Sequence, residues 1–504
     1  MTIKIDLETG EISAQQADIS EALLPAEDKS ENFNKTSDSC KGGNDGSVAT
    51  VLLSTFIVVL GSLEFGYSVG YSSPAQSAMI EDLGLTVSQY STFGSLLTIG
   101  AMIGAITSGR IADCMGRKGA LRVASASYII GWLVIIFSKV ALSLDIGRLI
   151  AGYGVGVTSY TVPVYIAEIT PKNLRGALTN TNQLSITSGI LVVYLLGMLV
   201  SWRLLAILGL VPCALLLMGL FFIPESPRWL AKVGREKEFE VALQALRGKE
   251  CDVSAEAAEI KEYVEELESL PKGRLLDLFQ RKYAYHMIVG VGLMVFQQAS
   301  GINAVMFYAS TIFKACGFNS DNAASVSVAA LQVPMTALGV LLMDKTGRRP
   351  LLMVSGGGVA IGCFMVGSSF YMQEHESFAH LRVLTSLLAL SGLLVYIAMF
   401  SLGTGGIPWI IMSEIFPINM KGVAGSLVTL VAWFGSWVVT ITFNSLLSWS
   451  ASGSFFIFGA AGTCSVLFVA KLVPETKGKT LEEIQTSFQT YFTKRTPKAR
   501  NVLH

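Results

Sequence analysis

The feature of this sequence that most restricts its fold is a succession of long apolar blocks. Twelve blocks can be drawn, each close to the roughly 20 residues that a helix needs to cross a bilayer. Charged residues make up only 15% of the 504-residue chain, whereas soluble domains carry about 25%. We therefore predict an all-α polytopic membrane protein, and exclude a soluble enzyme, a fibrous protein and a nucleic-acid-binding protein.

The apolar blocks are separated by short connections, except for one hydrophilic stretch in the middle of the chain. We place the spans at 48–71, 90–109, 121–138, 142–165, 177–199, 202–223, 286–313, 323–343, 351–371, 383–410, 422–446 and 452–472. The predicted parts are a disordered cytosolic leader (1–47), an N-terminal six-helix bundle (48–223), a cytosolic helical loop (224–285), a C-terminal six-helix bundle (286–472) and a cytosolic tail (473–504).

The basic residues predict the orientation of these spans. Most of the 37 Lys and Arg residues lie on the side of both termini. Because basic residues are enriched in cytoplasmic loops, we expect both termini to be cytosolic.

Three charged motifs occur in both predicted halves, in the same order and 231 to 250 residues apart. Their charged members are Asp113, Arg117, Glu168, Arg175 and Glu225 in the first half, and Asp344, Arg348, Glu414, Lys421 and Glu475 in the second. The repetition predicts two pseudo-symmetric halves, an architecture found in transporters. We predict that the ten residues form a cytosolic gate of ion pairs, each worth about 0–1 kcal/mol and therefore breakable. The alternative is that they are topological anchors and surface charges.

Further motifs resemble those of the sugar porters of the major facilitator superfamily, over residues 48–484. They include Gly147-Arg148, Pro163-x-Tyr165-x-x-Glu168, Pro224-Glu-Ser-Pro-Arg-Trp-Leu, Phe296-Gln-Gln-x-x-Gly-Ile-Asn303 and Pro474-Glu-Thr-Lys-Gly. The run from Gly403 to Asn419 further resembles the plant branch named for early response to dehydration. The resemblance implies twelve transmembrane helices in the major facilitator fold, and a carrier of monosaccharides (a hexose such as glucose or fructose) that works by alternating access. It implies neither an enzyme nor a cofactor.

The resemblance also implies a sugar site made of Gln183, Gln297, Gln298, Asn303 and Trp409. Side-chain amides both donate and accept hydrogen bonds, as sugar hydroxyls require, and an aromatic ring packs against the sugar's C–H surface. A membrane amide can instead join two helices.

Glycines in the seventh predicted span raise a second question about the same region. Gly290, Gly292 and Gly301 fit either a bend beside a cavity or close helix packing.

Several positions depart from the pattern of the family. Thr404 and Gly406 stand where many porters have prolines, so we expect this part of the tenth span to flex differently. Ser401 and Ala432 stand where animal glucose carriers have glutamate and asparagine. Hexose selectivity is therefore open, and a polyol such as inositol is the alternative substrate. A non-transporting sugar sensor is a further alternative.

Energy coupling is predicted from one acidic residue inside an apolar span. Ser68 stands where proton-coupled porters have an aspartate, but Glu64 lies one helical turn earlier. An acidic residue within a span is functional by default. Glu64 and Arg148 fall at similar depths, so we predict an ion pair that protonation of Glu64 releases. The alternatives are a permanent structural pair, a Glu64 that accepts a hydrogen bond from sugar, and facilitated diffusion.

Partners and location complete the predictions. No CxxC pair occurs among the seven cysteines, so no zinc site is indicated. The partners expected are a small sugar, the lipid bilayer and, if transport is coupled, protons, with a monomer as the functional unit. Leu23 and Leu24 resemble a dileucine sorting signal. Together with the plant-branch resemblance they favour the vacuolar membrane over the plasma membrane.

Overall fold

The computed structural model describes residues 45–171, 174–248, 251–269, 275–280, 283–315, 321–375, 380, 382–416 and 418–477. Within these ranges the regular secondary structure is helical and contains no strand. Ten helices are long and apolar enough to cross a membrane, and Thr181–Gly197 is a shorter apolar helix. The all-α polytopic prediction is confirmed. Nearly all of the predicted leader, with Leu23 and Leu24, lies outside the described residues. Most of the predicted tail also lies outside them.

The first half of the described chain ends before the hydrophilic stretch. Its helices are α1 (Asp45–Gly70), α2 (Ser72–Leu83), α3 (Val87–Ile136), α4 (Ala141–Ile169), α5 (Arg175–Gly197), α6 (Trp202–Leu208) and α7 (Leu210–Gly219). The side-chain oxygen of Thr86 accepts a hydrogen bond from the backbone N–H of Gln89 and so caps the start of α3. Such a cap satisfies one of the donors that the first helical turn leaves unpaired.

The 50-residue helix α3 contains two of the predicted spans. Its backbone is non-helical at Gly116, where φ is 81° and ψ is 172°. Before this glycine, contacts with α4 run in parallel, from Gly100 against Gly152 to Gly104 against Gly156. After it they run in the opposite sense, from Ala124 against Gly154 to Gly131 against Gly147. The chain therefore reverses at Gly116, so α3 crosses twice. With the nine other long apolar helices and Thr181–Gly197, the described residues make twelve crossings, as predicted.

Most of the hydrophilic stretch packs on the first half, but its last described turn packs on the second half, where Leu278 lies in a core with Met294. It contains α8 (Pro227–Lys232), α9 (Glu236–Arg247), α10 (Ser254–Ser269) and a 3-10 turn (Leu275–Phe279). The indole N–H of Trp229 donates to the backbone oxygen of Asp113 over 2.8 Å. Arg247 Nη1 donates to the backbone oxygen of Ile169 over 3.0 Å. These bonds hold the stretch against the ends of the crossings formed by α3 and α4.

The second half repeats the arrangement with two interruptions. Its helices are α11 (Ala284–Ala299), α12 (Ile302–Ala315), α13 (Asp321–Thr346), α14 (Arg348–Glu374), α15 (Arg382–Met399), α16 (Ile407–Ile415), α17 (Ile418–Trp449) and α18 (Ala451–Leu472). Gly301, with φ at 86°, separates α11 from α12. A π-helical turn, Phe400–Thr404, precedes α16.

Both readings of the glycines in the seventh span are realised, but at different residues. Gly301 breaks the span, because its positive φ is easily adopted only by glycine. Gly290 lies instead against the ring of Phe416, and Gly292 against that of Phe468. These two glycines therefore serve close packing.

The two halves share a core at one end of the bundle and have separate cores at the other. The shared core joins Tyr71 and Trp132 of the first half to Phe307 and Phe443 of the second. At the opposite end one core lies around Ile166 in the first half, and another around Phe416 in the second. We call this opposite end, where Arg117, Glu168, Arg348 and Glu414 also lie, the charged end.

Candidate functional site

Three of the predicted sugar-site amides form a chain beside the break at Gly301. Asn303 Nδ2 donates to Gln298 Oε1 over 2.5 Å, and Gln298 Nε2 reaches Gln297 Oε1 at 3.4 Å. Gln297 and Gln298 are buried, whereas Asn303 is half-buried. The amide of Gln297 continues to another helix, because its Nε2 donates to the backbone oxygens of Thr404 (2.8 Å) and Gly405 (2.9 Å).

The fourth amide, Gln183, lines a cavity between the halves. Its neighbours in the lining include the polar side chains of Gln332, Thr336 and Ser401. Gln332 is buried, and its side-chain oxygen has no hydrogen-bond partner in the described structure, nor has the Ser401 hydroxyl. Both unpaired atoms are shielded from the cavity in this conformation, and a turn of either side chain toward the cavity would let it pair with a sugar hydroxyl.

Sequence reasoning did not nominate Gln332 or Thr336 for the site. A signal was available for Gln332, because it is an amide within an apolar span, as Gln183 is. No such signal marks Thr336. Trp409, which was nominated, is half-buried on α16 and packs against the core of the second half, outside the lining of that cavity.

The predicted ion pair between Glu64 and Arg148 is not formed in this structure, and that prediction is wrong for this conformation. Glu64 Oε1 accepts hydrogen bonds from Trp132 Nε1 (2.6 Å) and from the Ser68 hydroxyl (3.2 Å). Arg148 Nη2 donates to the hydroxyl oxygen of Ser72.

Aromatic rings connect the two charged groups instead of a direct contact. The Arg148 guanidinium lies 5.8 Å from the centre of the Tyr71 ring, which lies 4.9 Å from that of Trp132. Both charged side chains are almost fully buried, and Glu64 Oε2 and two nitrogens of Arg148 have no hydrogen-bond partner among the described residues. The sequence predicted that Glu64 and Arg148 lie at similar depths along their helices. Similar depth alone does not determine which side chains come into contact.

The first-half charged cluster is closely paired. Arg117 donates two hydrogen bonds to Glu168, from Nε and Nη2, both 2.8 Å long. The Ser226 hydroxyl donates to the same carboxylate over 2.5 Å. Asp113 lies at the edge, 3.4 Å from Arg117 and 3.0 Å from Lys232.

The described side chains of the second-half cluster make fewer contacts. Arg348 Nη2 meets Glu414 Oε1 at 3.4 Å. Arg348 Nε, Glu414 Oε2 and the hydroxyl of Thr476 are buried atoms without a hydrogen-bond partner in the described structure. The side chains of Arg175, Asp344 and Lys421 lie outside the described residues.

Within the part of the chain that the structure describes, Glu225 and Glu475 bond to backbone N–H groups and not, as the gate prediction supposed, to basic side chains. Glu225 Oε1 accepts from the N–H of Arg117 over 3.1 Å, and Glu475 Oε1 from that of Arg348 over 3.0 Å. A Cβ atom at Gly116 would come within 2.5 Å of the Glu225 carboxylate. Each carboxylate therefore occupies space that a glycine leaves free, and caps the helix that follows.

The two capping carboxyls differ in pKa. Burial raises the pKa of Glu225, although backbone donors from Ser226, Lys118 and Arg117 favour its charged form. Burial also acts to raise the pKa of Glu475, but it is less buried, and backbone N–H groups that include that of Lys477 hold its pKa below the ordinary value.

Hydrogen bonds join the two halves at the end opposite the charged end. They run from Tyr194 Oη to Met306 O (2.6 Å), from Thr311 Oγ1 to Gln76 Oε1 (2.7 Å) and from Asn444 Nδ2 to Ser91 Oγ (2.7 Å). Every ion pair that the structure shows among its described residues lies within one half or its adjoining loop. The halves are thus fastened to each other at one end.

The family model described as "Sugar (and other) transporter" matches residues 54–488. The chain belongs to this family of sugar transporters. It is 53% identical to Sugar transporter ERD6-like 16 of Arabidopsis thaliana, over 95% of this chain and 97% of that protein. It is 57% identical to Sugar transporter ERD6-like 7 of the same plant, over 86% and 93%. The predicted resemblance to the early-responsive-to-dehydration branch is confirmed.

Solved structures of a bacterial transporter have the same fold as this sugar transporter. The proton:xylose symporter XylE bound to 6-bromo-6-deoxy-D-glucose superposes with a TM-score of 0.73 at 28% identity, covering 88% of this chain and all of that one. The inward-open conformation of XylE from E. coli gives a TM-score of 0.72 at 28% identity, covering 87% and 99%. The major facilitator fold is therefore confirmed, and the protein is a transporter, not an enzyme.

Proposed function

We propose that this sugar transporter carries monosaccharides, with a hexose such as glucose or fructose as the substrate, by alternating access of one site between its halves. The observation that carries the proposal is the set of unpaired polar atoms of Gln332 and Ser401 beside a cavity that Gln183 also lines. Gln297, Gln298 and Asn303 supply further amides next to it. An uncharged lining in which amides and hydroxyls stand among apolar side chains suits a ligand with many hydroxyl groups, C–H surface and no charge.

The conformation supports access from the charged end. The halves share a core and hydrogen bonds at the opposite end, but have separate cores at the charged end. Separate cores can move apart without exposing a common apolar interface. In our proposal the charged end is cytosolic, as are both termini, and the sugar enters the site from the cytosol in this state.

The predicted domain division remains part of this proposal, with a monomer as the functional unit. The halves 48–223 and 286–472 rock about the site. The part of the loop that contains Trp229 and Arg247 moves with the first half, and the turn Leu275–Phe279, which packs on the second half, moves with that half.

Either facilitated diffusion or proton coupling drives net flux. In the second case Glu64 takes the proton, and the bond from Trp132 to its carboxylate is the contact that changes. Arg148 then acts through the rings of Tyr71 and Trp132 instead of by direct pairing. XylE is named a proton symporter, which gives the coupled alternative a precedent in this fold.

The test is sugar counterflow in proteoliposomes, with glucose, fructose, xylose and myo-inositol, each with and without a pH gradient. We expect saturable hexose exchange that Gln298→Ala lowers at least tenfold. Gln373→Ala is the matched control, because Gln373 bonds to Ser369 outside the cavity.

Each other result has a definite meaning. Exchange of inositol alone would establish the polyol alternative, and sugar binding without exchange would establish the sensor. Flux by Glu64→Gln that responds to the pH gradient as the wild type does would exclude Glu64 as the coupling group.

The proposed location is the vacuolar membrane, with the plasma membrane as the alternative. It rests on Leu23 and Leu24 in the leader and on the plant relatives. A fluorescent fusion in plant cells tests it, because replacing both leucines by alanine should redirect the protein.

A further inference from the structure

The interruption before α16 is held by side chains of other helices. We call residues Phe400–Gly406 the bend. Within it the N–H of Gly405 donates to the backbone oxygen of Phe400, five residues earlier, over 2.8 Å. A spacing of five widens the helix, as in a π-helix, and changes which backbone groups are paired within it. Side chains of α11 and α14 bond to Met399, Thr404 and Gly405 at this point.

Ser355 of α14 makes three of these bonds through one oxygen atom. Its Oγ lies 2.6 Å from the backbone oxygen of Met399, 2.7 Å from the backbone nitrogen of Thr404 and 2.6 Å from the Thr404 hydroxyl oxygen. A carbonyl only accepts, so the single proton of Ser355 goes to Met399. The Thr404 N–H and the Thr404 hydroxyl must then both donate to Ser355, which fills the capacity of its oxygen.

Neighbouring glycines allow this close approach. A Cβ atom at Gly403 would lie 2.7 Å from the Cβ of Ser355, so a larger residue there would push α14 away. A Cβ atom at Gly339 of α13 would lie 2.9 Å from the carbonyl carbon of Leu402. The bend is therefore packed between two helices, and Ser355 is fully buried where they meet.

Gln297 connects the bend to the sugar site. Its Nε2 donates to the oxygens of Thr404 and Gly405, while its Oε1 faces Gln298. A sugar hydroxyl that bonded to this amide would compete with the two backbone oxygens. Since both contacts draw on one NH₂ group, occupancy of the site and pairing of the bend are linked.

From this geometry we infer that Ser355 is a positioning residue that fixes the bend through Thr404, and that sugar binding to Gln297 loosens the same bend. The inference deepens the proposed function and rests on it for the second statement only. The first concerns the protein without ligand. In this chain a hydroxyl pair therefore fixes the bend at Thr404, a position that carries no proline.

Amide hydrogen exchange of the purified, full-length protein in nanodiscs tests the first statement. Ser355→Ala leaves the Thr404 N–H without its partner, so we expect exchange in peptides covering 399–406 to become about tenfold faster. Thr404→Val removes the hydroxyl at similar volume and should give a smaller increase of about threefold. Thr404→Ser keeps the hydroxyl and should restore the wild-type rate.

Ser369→Ala is the matched control. Ser369 is also buried on α14 and donates to a backbone oxygen of α15, that of Thr385, over 2.6 Å, but it lies more than three turns from Ser355 along the helix. It should leave exchange at 399–406 unchanged. Equal acceleration by Ser355→Ala and Ser369→Ala, or none by either, would overturn the inference. If Ser355→Ala does not fold, the Thr404→Val and Thr404→Ser pair decides the question.

The second statement is tested by adding D-glucose and, in parallel, D-xylose. Bound sugar should speed exchange at 399–406 in the wild type but not in Gln297→Ala. In transport, Ser355→Ala should lower the maximal exchange rate about tenfold, and the half-saturating sugar concentration should fall and not rise, because a loosened bend competes less for the Gln297 amide.

The failures of the two proposals can be told apart. Slower exchange at 399–406 with sugar bound would overturn the link through Gln297. An absence of counterflow with every sugar would instead contradict the proposed function. The hydrogen exchange of ligand-free Ser355→Ala would still decide whether Ser355 fixes the bend.

Discussion

In the first half of this transporter Arg117 and Glu168 are joined by two short hydrogen bonds and a serine hydroxyl, whereas in the second half Arg348 and Glu414 share one bond of 3.4 Å. The motifs are alike, but the arginine and glutamate side chains are 9% and 12% exposed in the first cluster and 17% and 26% in the second.

The comparison shows that a repeated charged motif need not have one role. A buried, fully paired cluster makes its helices move as one body, because separating the charges would leave them unpaired in a medium of low dielectric constant. A loosely paired cluster can change its partners at little cost. We expect the second cluster to be the one that rearranges during transport.

The largest expected difference is in the stability lost when the arginine of each cluster is replaced by alanine. Arg117→Ala strands a buried carboxylate and should destabilise the protein by about 3–5 kcal/mol. Arg348→Ala should cost about 1 kcal/mol or less. Thermal unfolding of the detergent-purified variants measures both, and equal losses would show that the two clusters are equivalent.

Replacing the glycine of each cluster should cost a similar amount of stability. Gly116 and Gly347 have φ values of 81° and 94° and ψ values of 172° and 165°, a region that other residues avoid. Alanine should cost about 1–3 kcal/mol at each position. A difference above that range in the same unfolding assay would mean that the turns, and not only the ion pairs, distinguish the halves.

Removing a hydroxyl group should change stability differently in the two clusters. Ser226→Ala removes a bond to a carboxylate and should cost about 1.5–3 kcal/mol. Thr476→Val removes a buried hydroxyl that has no partner in the described structure, so it should be neutral or slightly stabilising. Loss of stability in Thr476→Val as large as that in Ser226→Ala would contradict the looser pairing.

The smallest expected effect concerns how stability depends on pH. Glu225 and Glu475 should contribute to this dependence with opposite signs. The raised pKa of Glu225 gives stability that is present at acid pH and lost as pH rises through the folded-state value. The lowered pKa of Glu475 gives stability that is present above its ordinary value and lost as pH falls. As pH rises from about 4 to 8, Glu225→Gln should therefore gain stability relative to wild type. Glu475→Gln should lose stability relative to wild type as pH rises toward the ordinary glutamate value of about 4.5 and should change no further above it. Melting curves at a series of pH values check both slopes, and parallel slopes would refute the assignment.

Apolar block length and motif repetition were sufficient to predict twelve crossings and two similar halves, and the resemblance of further motifs to those of sugar porters predicted the family. The reason is that each segment that crosses a bilayer must by itself match the bilayer thickness and satisfy its backbone hydrogen bonds. Each crossing can therefore be recognised from the residues of that segment alone. The amides Gln183, Gln297, Gln298 and Asn303 were nominated because the resemblance implies them, since polarity in an apolar span alone does not separate a ligand site from helix-to-helix bonding.

Which atoms meet was decided only by the tertiary structure. Glu64 and Arg148 lie at similar depths, yet Trp132 and Ser72 are their partners, since the rotation of each helix about its axis depends on packing with its neighbours. Glu225 bonds to backbone and not to a cation for the same reason. The sequence determined how often the chain crosses the membrane and where polar groups enter it, and three-dimensional packing determined how those groups are paired.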